Sequence, residues 1–433
     1  MARFPIGLAS GQMQVWSPVS EVRSGPMDGQ LNRIMEVARH QLEMDVVAIS
    51  EFASERQIYR ALLGDAESFG MSLGEGPLLE DAFCLRMSQG LLPHEIADTA
   101  ADSGACQVPL TASAEIGAYV GVPVQLSDGS LFGSLACFNH EPHDLGERDV
   151  RFLRMLADLV TSELEALRER DEESRRVTRL IESATLEIAL QPVFDVHDGR
   201  FLGAEALARF PASYGTTESV FESAGAVGLS LPLERLAIGC AIPVLDALQD
   251  GQFLAVNLTP QVAFELAATG ENRPELLARM VLEITEHAAI ASYANLRQAL
   301  RSSRDQGLRL AIDDAGAGYA SLKHVVELEP DIIKIDRSIV EGVANDRARR
   351  SAVSAFVLLA LDIGAYVIAE GVERPEDLEA IKDLGVDAAQ GYLLARPTKD
   401  RRALARWQKS GQPTPRVVRS RDAEPAMAIS LRG

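Results

Sequence analysis

The sequence predicts a (β/α)8 barrel of the TIM type, preceded by a smaller domain of the α+β class. From residue 185 onward, eight short apolar stretches alternate with helical patterns, which is typical of βα units around a largely parallel sheet. Polar residues occur towards the carboxyl ends of these stretches, where barrels of this class build their active sites. Before residue 165 the pattern instead favours a helix, several strands and a hairpin.

The candidate barrel strands begin near Leu186, Phe201, Leu254, Val281, Leu308, Ile332, Tyr366 and Ala388. The fourth of them, Val-Leu-Glu-Ile-Thr-Glu over residues 281–286, is apolar yet carries Glu283 and Glu286. Because burying an unpaired carboxylate costs on the order of several kcal/mol, we expect a positively charged group beside the end of this strand.

The first domain is predicted over residues 27–165. Its expected elements are a helix over 27–44, strands over 45–52 and 57–63, a strand from Tyr119 to Leu126, a hairpin turn at 127–129 and a return strand over 130–138. The alternation from Val120 to Leu126 and the Ser-Asp-Gly turn are the strongest of these signals.

The remaining segments complete the predicted organisation. Residues 1–26 are expected to form a flexible leader, 166–184 a helical linker, 185–408 the barrel and 409–433 a disordered tail. Apolar residues keep a helical spacing from 147 to 184, so one long helix is predicted there. The linker can be a solvated spacer or a helix that pairs across a dimer and transmits the state of the first domain, and the sequence leaves both open.

Composition excludes several classes of protein. The formal net charge of −21 disfavours a partner such as a nucleic acid duplex. The four cysteines, Cys84, Cys106, Cys137 and Cys240, include no Cys-x-x-Cys pair, which argues against a thiolate zinc site. No apolar run reaches the roughly 18 residues of a membrane span. We therefore expect a cytoplasmic protein without a membrane span.

The candidate metal ligands all offer oxygen. They are Glu205, Asn257, Glu283, Asp313, Asp314 and Glu370. Oxygen ligands favour Mg²⁺ or Mn²⁺ over Zn²⁺, and five carboxylates are enough for two such ions. Paired metal ions suit in-line attack on a phosphodiester. A single acidic strand end is more often a helix cap or an ion-pair partner, so the hypothesis rests on the whole set.

Residues 27–165 resemble a GAF domain, a small sensory module. The resemblance rests on the segment 116–124, Ile-Gly-Ala-Tyr-Val-Gly-Val-Pro-Val, and on the segment 131–135, Leu-Phe-Gly-Ser-Leu. It implies that this domain can bind a small ligand, whose identity the sequence does not reveal.

Residues 185–400 resemble the EAL-domain cyclic di-GMP phosphodiesterases. The motifs that carry this resemblance are Glu205-Ala206-Leu207-Ala208-Arg209, Asn257-Leu258-Thr259-Pro260, Leu282-Glu283-Ile284-Thr285-Glu286, Asp313-Asp314, Lys334-Ile335-Asp336, Ala369-Glu370-Gly371-Val372-Glu373 and Gln390-Gly391-Tyr392. The resemblance implies hydrolysis of cyclic di-GMP to linear pGpG, a barrel with an antiparallel first strand, and a homodimer. A receptor that binds cyclic di-GMP without turnover, and a protein-binding scaffold, are the alternatives.

The resemblance also implies roles for individual residues. One metal ion would be held by Glu205, Asn257, Glu283 and Asp313, and the second by Asp313, Asp314 and Glu370; Lys334, Glu370 and Gln390 would be catalytic, Gln191, Arg209, Asp336 and Glu373 would bind substrate, and Glu286 would anchor the loop after Asp314.

That loop departs from the usual family sequence, Asp-Asp-Phe-Gly-Thr-Gly-Tyr-Ser-Ser-Leu. Alanines at 315, 317 and 320 stand where Phe, Thr and Ser are usual. Two consequences remain open. The loop can be loosely held, which would lower basal turnover, or neighbouring side chains can fill the space and make the alanines neutral.

Overall fold

The computed structural model describes residues 29–53, 55–268, 274–285, 290–317 and 321–410. The chain divides into two compact units, Met1–Glu172 and Glu173–Gly433. The predicted leader over 1–26, and all but the first two residues of the predicted tail over 409–433, lie outside the described residues. Among the described helices, none combines the length and the apolar character that a membrane span requires.

The first unit is built on a five-stranded antiparallel sheet with the strand order β2-β1-β5-β4-β3. The strands are β1 (Val46–Ala53), β2 (Arg56–Gly64), β3 (Glu95–Ile96), β4 (Ala118–Gln125) and β5 (Leu131–Asn139), and the helices are α1 (Gly29–Gln41), α2 (Phe83–Ser88), α3 (Pro109–Ser113) and the start of α4 (Glu147–Ser183). The predicted helix, strands and hairpin all form. The two-residue strand β3 and the short helices α2 and α3 were not predicted.

Alternation along the strands gives this sheet two apolar faces. Val122 and Leu135 face a core that includes Met35 of α1 and Leu153 of α4, whereas residues on the opposite face pack with Phe83 of α2. The sheet is therefore covered on both sides, which explains why its central strands are buried along most of their length.

The second unit is a closed barrel whose strands follow the order β10-β11-β12-β13-β6-β7-β8-β9. Its strands are β6 (Glu187–Asp195), β7 (Phe201–Arg209), β8 (Phe253–Asn257), β9 (Met280–Thr285), β10 (Arg309–Ala315), β11 (Ile332–Ile335), β12 (Tyr366–Ala369) and β13 (Ala388–Ala389). Every strand begins within one residue of its predicted start. The predicted barrel is confirmed.

Strand β6 runs antiparallel to both of its neighbours, β13 and β7, while the other neighbouring strands are parallel. The described helices of this unit are α5 (Thr217–Ala226), α6 (Ser230–Ala241), α7 (Pro260–Ala268), α8 (Pro274–Leu277), α9 (Tyr293–Asp305), α10 (Ser321–Leu328), α11 (Arg337–Val340), α12 (Arg347–Ile363), α13 (Pro375–Asp383) and α14 (Arg402–Trp407). The antiparallel first strand agrees with the expectation from the family resemblance.

The end of α4 belongs to this unit. Val177 and Leu180 of α4 are buried against Val220, Ala224 and Leu233 of α5 and α6. Helix α4 is therefore one helix that contains both residues packed in the first unit and residues packed in the second.

Candidate active site

Two layers of side chains fill the barrel interior, and the upper layer is polar. The lower layer is an apolar cluster that includes Ala255, Val281, Ala311, Ile332, Ile368 and Ala388. Side chains on a strand alternate between its two faces, so the residues two positions later, Asn257, Glu283, Asp313, Lys334, Glu370 and Gln390, follow on the same inner side. Parallel strands bring these six to the carboxyl end of the barrel.

Lys334 lies at the centre of this polar layer, and its side chain is 1% exposed. Its Nζ atom lies 2.8 Å from Asp313 Oδ1, 2.8 Å from Glu370 Oε1, 3.0 Å from Glu283 Oε1 and 3.5 Å from Glu205 Oε2. The positive group expected beside Glu283 is thus Lys334, which contacts carboxylates from four other strands.

Two amides extend the network around Glu205. The Nδ2 atom of Asn257 donates to Glu205 Oε1 over 2.8 Å, and the Nε2 atom of Gln390 donates to Glu205 Oε2 over 2.7 Å. Gln390 Nε2 also lies 3.0 Å from Gln191 Oε1. The structure therefore brings Gln191 and Gln390 close to Glu205. Both glutamines were predicted site residues.

A β-bulge allows the consecutive residues Asp313 and Asp314 to share one site. Ile312 pairs with Ile333, but the next pair is Ala315 with Ile335, so β10 contains one extra residue. Asp314 has a φ of 54°, in the left-handed region that Asp tolerates better than most residues. One carboxylate oxygen atom from each of Asp313, Asp314 and Glu370 lies within 4.8 Å of the other two, although a regular strand would place the two aspartates on opposite faces.

Burial and the surrounding charges shift the pKa values of these groups in different directions. Burial raises the pKa of Glu283 and of Glu370 well above the ordinary range, although Lys334 opposes this effect in both. Burial, as the larger cause, and the charge of Asp313 raise the pKa of Asp314 to about 6.

Glu205 and Lys334 behave differently, because their partners outweigh the effect of burial. Burial would raise the pKa of Glu205, but Lys334, Gln390 and Asn257 together leave it below its usual value. Burial would lower the pKa of Lys334, but Asp313, Glu205, Glu283 and Glu370 raise it well above the usual range.

The acidic residues fit a pair of divalent cations. In each of two groups, Glu205–Glu283–Asp313 and Asp313–Asp314–Glu370, one carboxylate oxygen atom from each residue lies within 4.8 Å of the other two. When ionised, the five carboxylates and Lys334 carry a formal charge of minus four, which two divalent cations would neutralise. Among the described residues, Glu283 Oε2 and Gln390 Oε1 are buried without a hydrogen-bond partner, so oxygen atoms remain available as ligands.

The other predicted site residues occupy less central positions. Asp336 caps α11 by accepting a hydrogen bond from the backbone N of Ser338 over 2.9 Å. Glu373 pairs with the half-exposed Arg337 over 3.1 Å. Arg209, at the end of β7, donates to its neighbour's carbonyl, Ala208 O, over 2.8 Å. Glu286 lies outside the described residues.

Glu234 of α6 is a buried acidic residue that the sequence analysis missed. Its Oε2 atom accepts a hydrogen bond from the backbone N of Thr259 over 2.9 Å and one from Thr259 Oγ1 over 3.4 Å. Thr259 lies two residues after Asn257, so Glu234 holds the segment that positions a predicted metal ligand. Its signal in the sequence is a carboxylate between the apolar residues Leu233 and Leu236 of a helix.

Family comparisons agree with both units. Residues 174–397 match the family model of the EAL domain, and residues 26–164 match that of the GAF domain. The first match alone covers more than half of the chain. The chain belongs to the EAL domain family and carries an N-terminal GAF domain.

Similar proteins include cyclic di-GMP phosphodiesterases. The probable cyclic di-GMP phosphodiesterase PdeB of Escherichia coli K12 is 29% identical over 263 residues, which are 56% of this chain and 48% of PdeB. The cyclic di-GMP phosphodiesterase RocR of Pseudomonas aeruginosa is 30% identical over 251 residues, which are 53% of this chain and 61% of RocR. The chain thus spans less than two thirds of either relative.

A solved structure shares the fold over most of the chain. The cGMP-bound form of the EAL enzyme Bd1971 aligns with 84% of this chain and 93% of its own, with a TM-score of 0.51 and 18% identity. At this level of identity, the likeness concerns the fold alone.

Proposed function

We propose that the barrel hydrolyses cyclic di-GMP to linear pGpG with the help of two Mg²⁺ or Mn²⁺ ions. The observation that carries this proposal is the convergence of five carboxylates, positioned by the four strands β7, β9, β10 and β12, around one buried lysine. The named phosphodiesterases among the relatives, at about 30% identity, support the substrate.

In this proposal the metal-binding residues form two overlapping sets, one for each ion. Glu205, Asn257, Glu283 and Asp313 would hold one ion, and Asp313, Asp314 and Glu370 would hold the other. When bound, such ions supply Lewis-acid stabilisation of negative charge on phosphate oxygens.

The chain's other groups bind substrate and transfer protons. Arg209 grips a substrate phosphate through its forked donors, with Gln191, Asp336 and Glu373 placed for further contacts. Glu370, whose carboxylate lies at the carboxyl end of the barrel beside Asp313 and Asp314, accepts a proton from the attacking water. Lys334 and Gln390 hold Glu370 and Glu205 in position through the contacts described above.

The test is incubation of the full chain with cyclic di-GMP and Mn²⁺, followed by chromatographic separation of the nucleotides. We expect linear pGpG, which should disappear with EDTA or in Glu205→Gln. The matched control is Glu187→Gln, because Glu187 lies on β6 but is exposed and pairs with Lys399 at the surface.

Other outcomes separate the alternatives. Tight binding of cyclic di-GMP without turnover, in protein saturated with Mn²⁺, would favour the receptor. Neither binding nor turnover would overturn the proposed function and favour the scaffold.

We also propose that the GAF domain controls the barrel through α4, and that the domain takes a small ligand. The continuous helix supports this proposal, because it packs in the first unit at Leu153 and in the second at Leu180. Replacing Glu169, Arg170 and Asp171 together by Gly in the full chain should loosen the helix by about 1 kcal/mol per residue relative to Ala. The basal rate should then differ from that of the matched triple Ala variant, and equal rates would count against control through the helix.

A homodimer is the assembly that we propose for the barrel. Helices α10 and α12 expose the apolar residues Leu322, Val326, Leu358 and Leu361. Helix α12 has Arg347 at its start and Asp362 near its end, so two antiparallel copies would pair opposite charges around these apolar residues. Leu358→Asp should weaken self-association in sedimentation experiments, whereas Leu91→Asp, an exposed leucine of the first unit, should not.

A further inference from the structure

An exposed arginine and an exposed tyrosine lie together shortly after Gln390, the residue that follows β13. The Cζ atom of Arg396 lies 4.2 Å from the centroid of the Tyr392 ring, which is within the range of a cation–π contact. Tyr392 is 47% exposed, so a large aromatic surface remains available to solvent beside the guanidinium.

The chain around this pair is held against the site. An added Cβ at Gly391 would lie 2.2 Å from the carbonyl oxygen of Val372, so the backbones pack there as closely as only glycine permits. The backbone N of Leu393 donates to the same carbonyl over 3.0 Å. Gln191 Nε2 lies 3.5 Å from Ala395 O. The pair is therefore tied to Gln390 and Gln191, at the carboxyl end of the barrel.

The surroundings of Arg396 differ from those of Arg402 and Arg406, which lie further along the chain. Arg402 and Arg406 both pair with Asp400, whereas no carboxylate of the described residues forms an ion pair with Arg396. Its contact with Tyr392 restrains the guanidinium but uses none of the N–H donors. No acceptor in the described part of the chain forms a hydrogen bond with these donors, so they can recognise a ligand at the rim.

We infer that Arg396 and Tyr392 recognise a guanine base of the substrate and set the preference for guanine over adenine. This inference rests on the proposed function. Guanine presents O6 and N7 as adjacent acceptors, which match two donors of one guanidinium, whereas adenine presents a donor in place of O6. The exposed tyrosine ring offers a stacking surface for a base, which is an additional but less selective contribution.

The experiment compares the hydrolysis of cyclic di-GMP and cyclic di-AMP by the full chain with Mn²⁺. Arg396→Ala should raise KM for cyclic di-GMP by about tenfold or more, which is the scale of one bidentate base contact, and leave kcat unchanged. The ratio of kcat/KM values between the two dinucleotides should fall by a similar factor. Arg396→Lys should lose the same selectivity, because it keeps the charge but not the fork of donors.

Arg402→Ala is the matched control, since Arg402 is exposed and pairs with Asp400; it should change neither parameter. Melting temperatures with Mn²⁺ verify that each variant is folded. An unchanged selectivity ratio in folded Arg396→Ala and Arg396→Lys, with cyclic di-GMP still hydrolysed, would overturn this inference and leave the proposed function standing. An equal rise in KM for both dinucleotides would show attraction of charge alone and also overturn it. A wild-type chain that hydrolyses neither would overturn both.

Discussion

Lys334 Nζ lies 2.8 Å from Glu370 Oε1, and Lys334 lies on β11 while Glu370 directly follows the neighbouring parallel strand β12. The ammonium has three further carboxylates around it and is almost fully buried. Desolvation makes an unpaired buried charge far more costly than a buried pair. The lysine is therefore the main counter-charge of the acidic site whenever cations are absent.

Lys334→Met should lower both activity and the stability of the metal-free protein. It leaves the buried carboxylates without their ammonium partner, so the free energy of unfolding in EDTA should fall by about 3–5 kcal/mol. Hydrolysis should fall by about a hundredfold or more. Thermal unfolding should show partial recovery with Mn²⁺, because divalent cations restore positive charge.

Lys399→Met is the control for that experiment, because Lys399 forms a surface pair with Glu187 and such pairs contribute about 0–1 kcal/mol. A Lys334→Met protein as stable in EDTA as the wild type would contradict the role of the lysine as counter-charge.

Affinity for Mn²⁺ should rise with pH. A carboxyl group must lose its proton to bind a metal ion, and the pKa of Asp314 is raised to about 6. Because its pKa is raised, the carboxyl group of Asp314 stays protonated up to a higher pH. Protons therefore compete with the cation below about pH 6, and the carboxyl group is ionised above it. Calorimetric titration between about pH 5.5 and 7.5 should show this increase, with a weaker affinity and a shallower slope in Asp314→Asn. An affinity for Mn²⁺ that does not change over this range would refute the competition.

Most of the barrel could be predicted from sequence because each strand is short, apolar and bounded by polar residues. Residues such as Ile332 and Ile368, which are inside the barrel, and their outward-facing neighbours are all apolar because both faces of a barrel strand are covered. Strand β3 was missed because two residues are too few for any periodicity. It exists only because Glu95 and Ile96 pair with β4, which is a long-range contact.

The site was predictable in its composition but not in its connections. Sequence motifs indicated the acidic residues. The extra residue in β10, which lets Asp313 and Asp314 converge, does not change the hydrophobic pattern of the strand, so it could not be predicted. Glu234 was missed for a different reason. A glutamate on a helix is usually solvated, and only the approach of Thr259 makes this one a buried anchor.

Removing the carboxylate of Glu234 should loosen the segment that carries Asn257. Glu234→Ala removes the hydrogen-bond acceptor of the exposed Thr259, which should cost about 0.5–1.5 kcal/mol of stability. The Mn²⁺ concentration for half-maximal rate should rise more than KM for cyclic di-GMP. Glu234→Gln retains an acceptor oxygen and should rescue most of both losses, whereas Glu222→Ala, on the exposed side of α5, should alter neither. If Glu234→Ala raised the Mn²⁺ concentration for half-maximal rate and KM by the same factor, the effect would be a general disturbance of the fold and not a loss of position at Asn257.

Ala315, which stands where phenylalanine is usual and follows Asp314 at the end of β10, occupies a filled space. Ala315 is 0% exposed and belongs to the core cluster that includes Ile335 and Val340. At the next residue, Gly316, with a φ of 101°, an added Cβ would lie 2.2 Å from Ile339 Cδ1. Of the two consequences left open by the sequence, compensation by neighbouring side chains is therefore favoured at position 315. Ala320 lies outside the described residues.

Ala315→Phe should accordingly destabilise the protein without raising its turnover. Inserting a large ring into a packed core costs about 1–3 kcal/mol, and the strain falls on the residues that follow Asp313 and Asp314. Thermal unfolding and kcat for cyclic di-GMP should both be measured in the full chain with saturating Mn²⁺. Ala317→Thr is the control, because Ala317 is exposed and its replacement should change stability by no more than about 0.5 kcal/mol. A higher melting temperature together with a higher kcat in Ala315→Phe would instead show that the alanine leaves the loop loosely held and limits turnover.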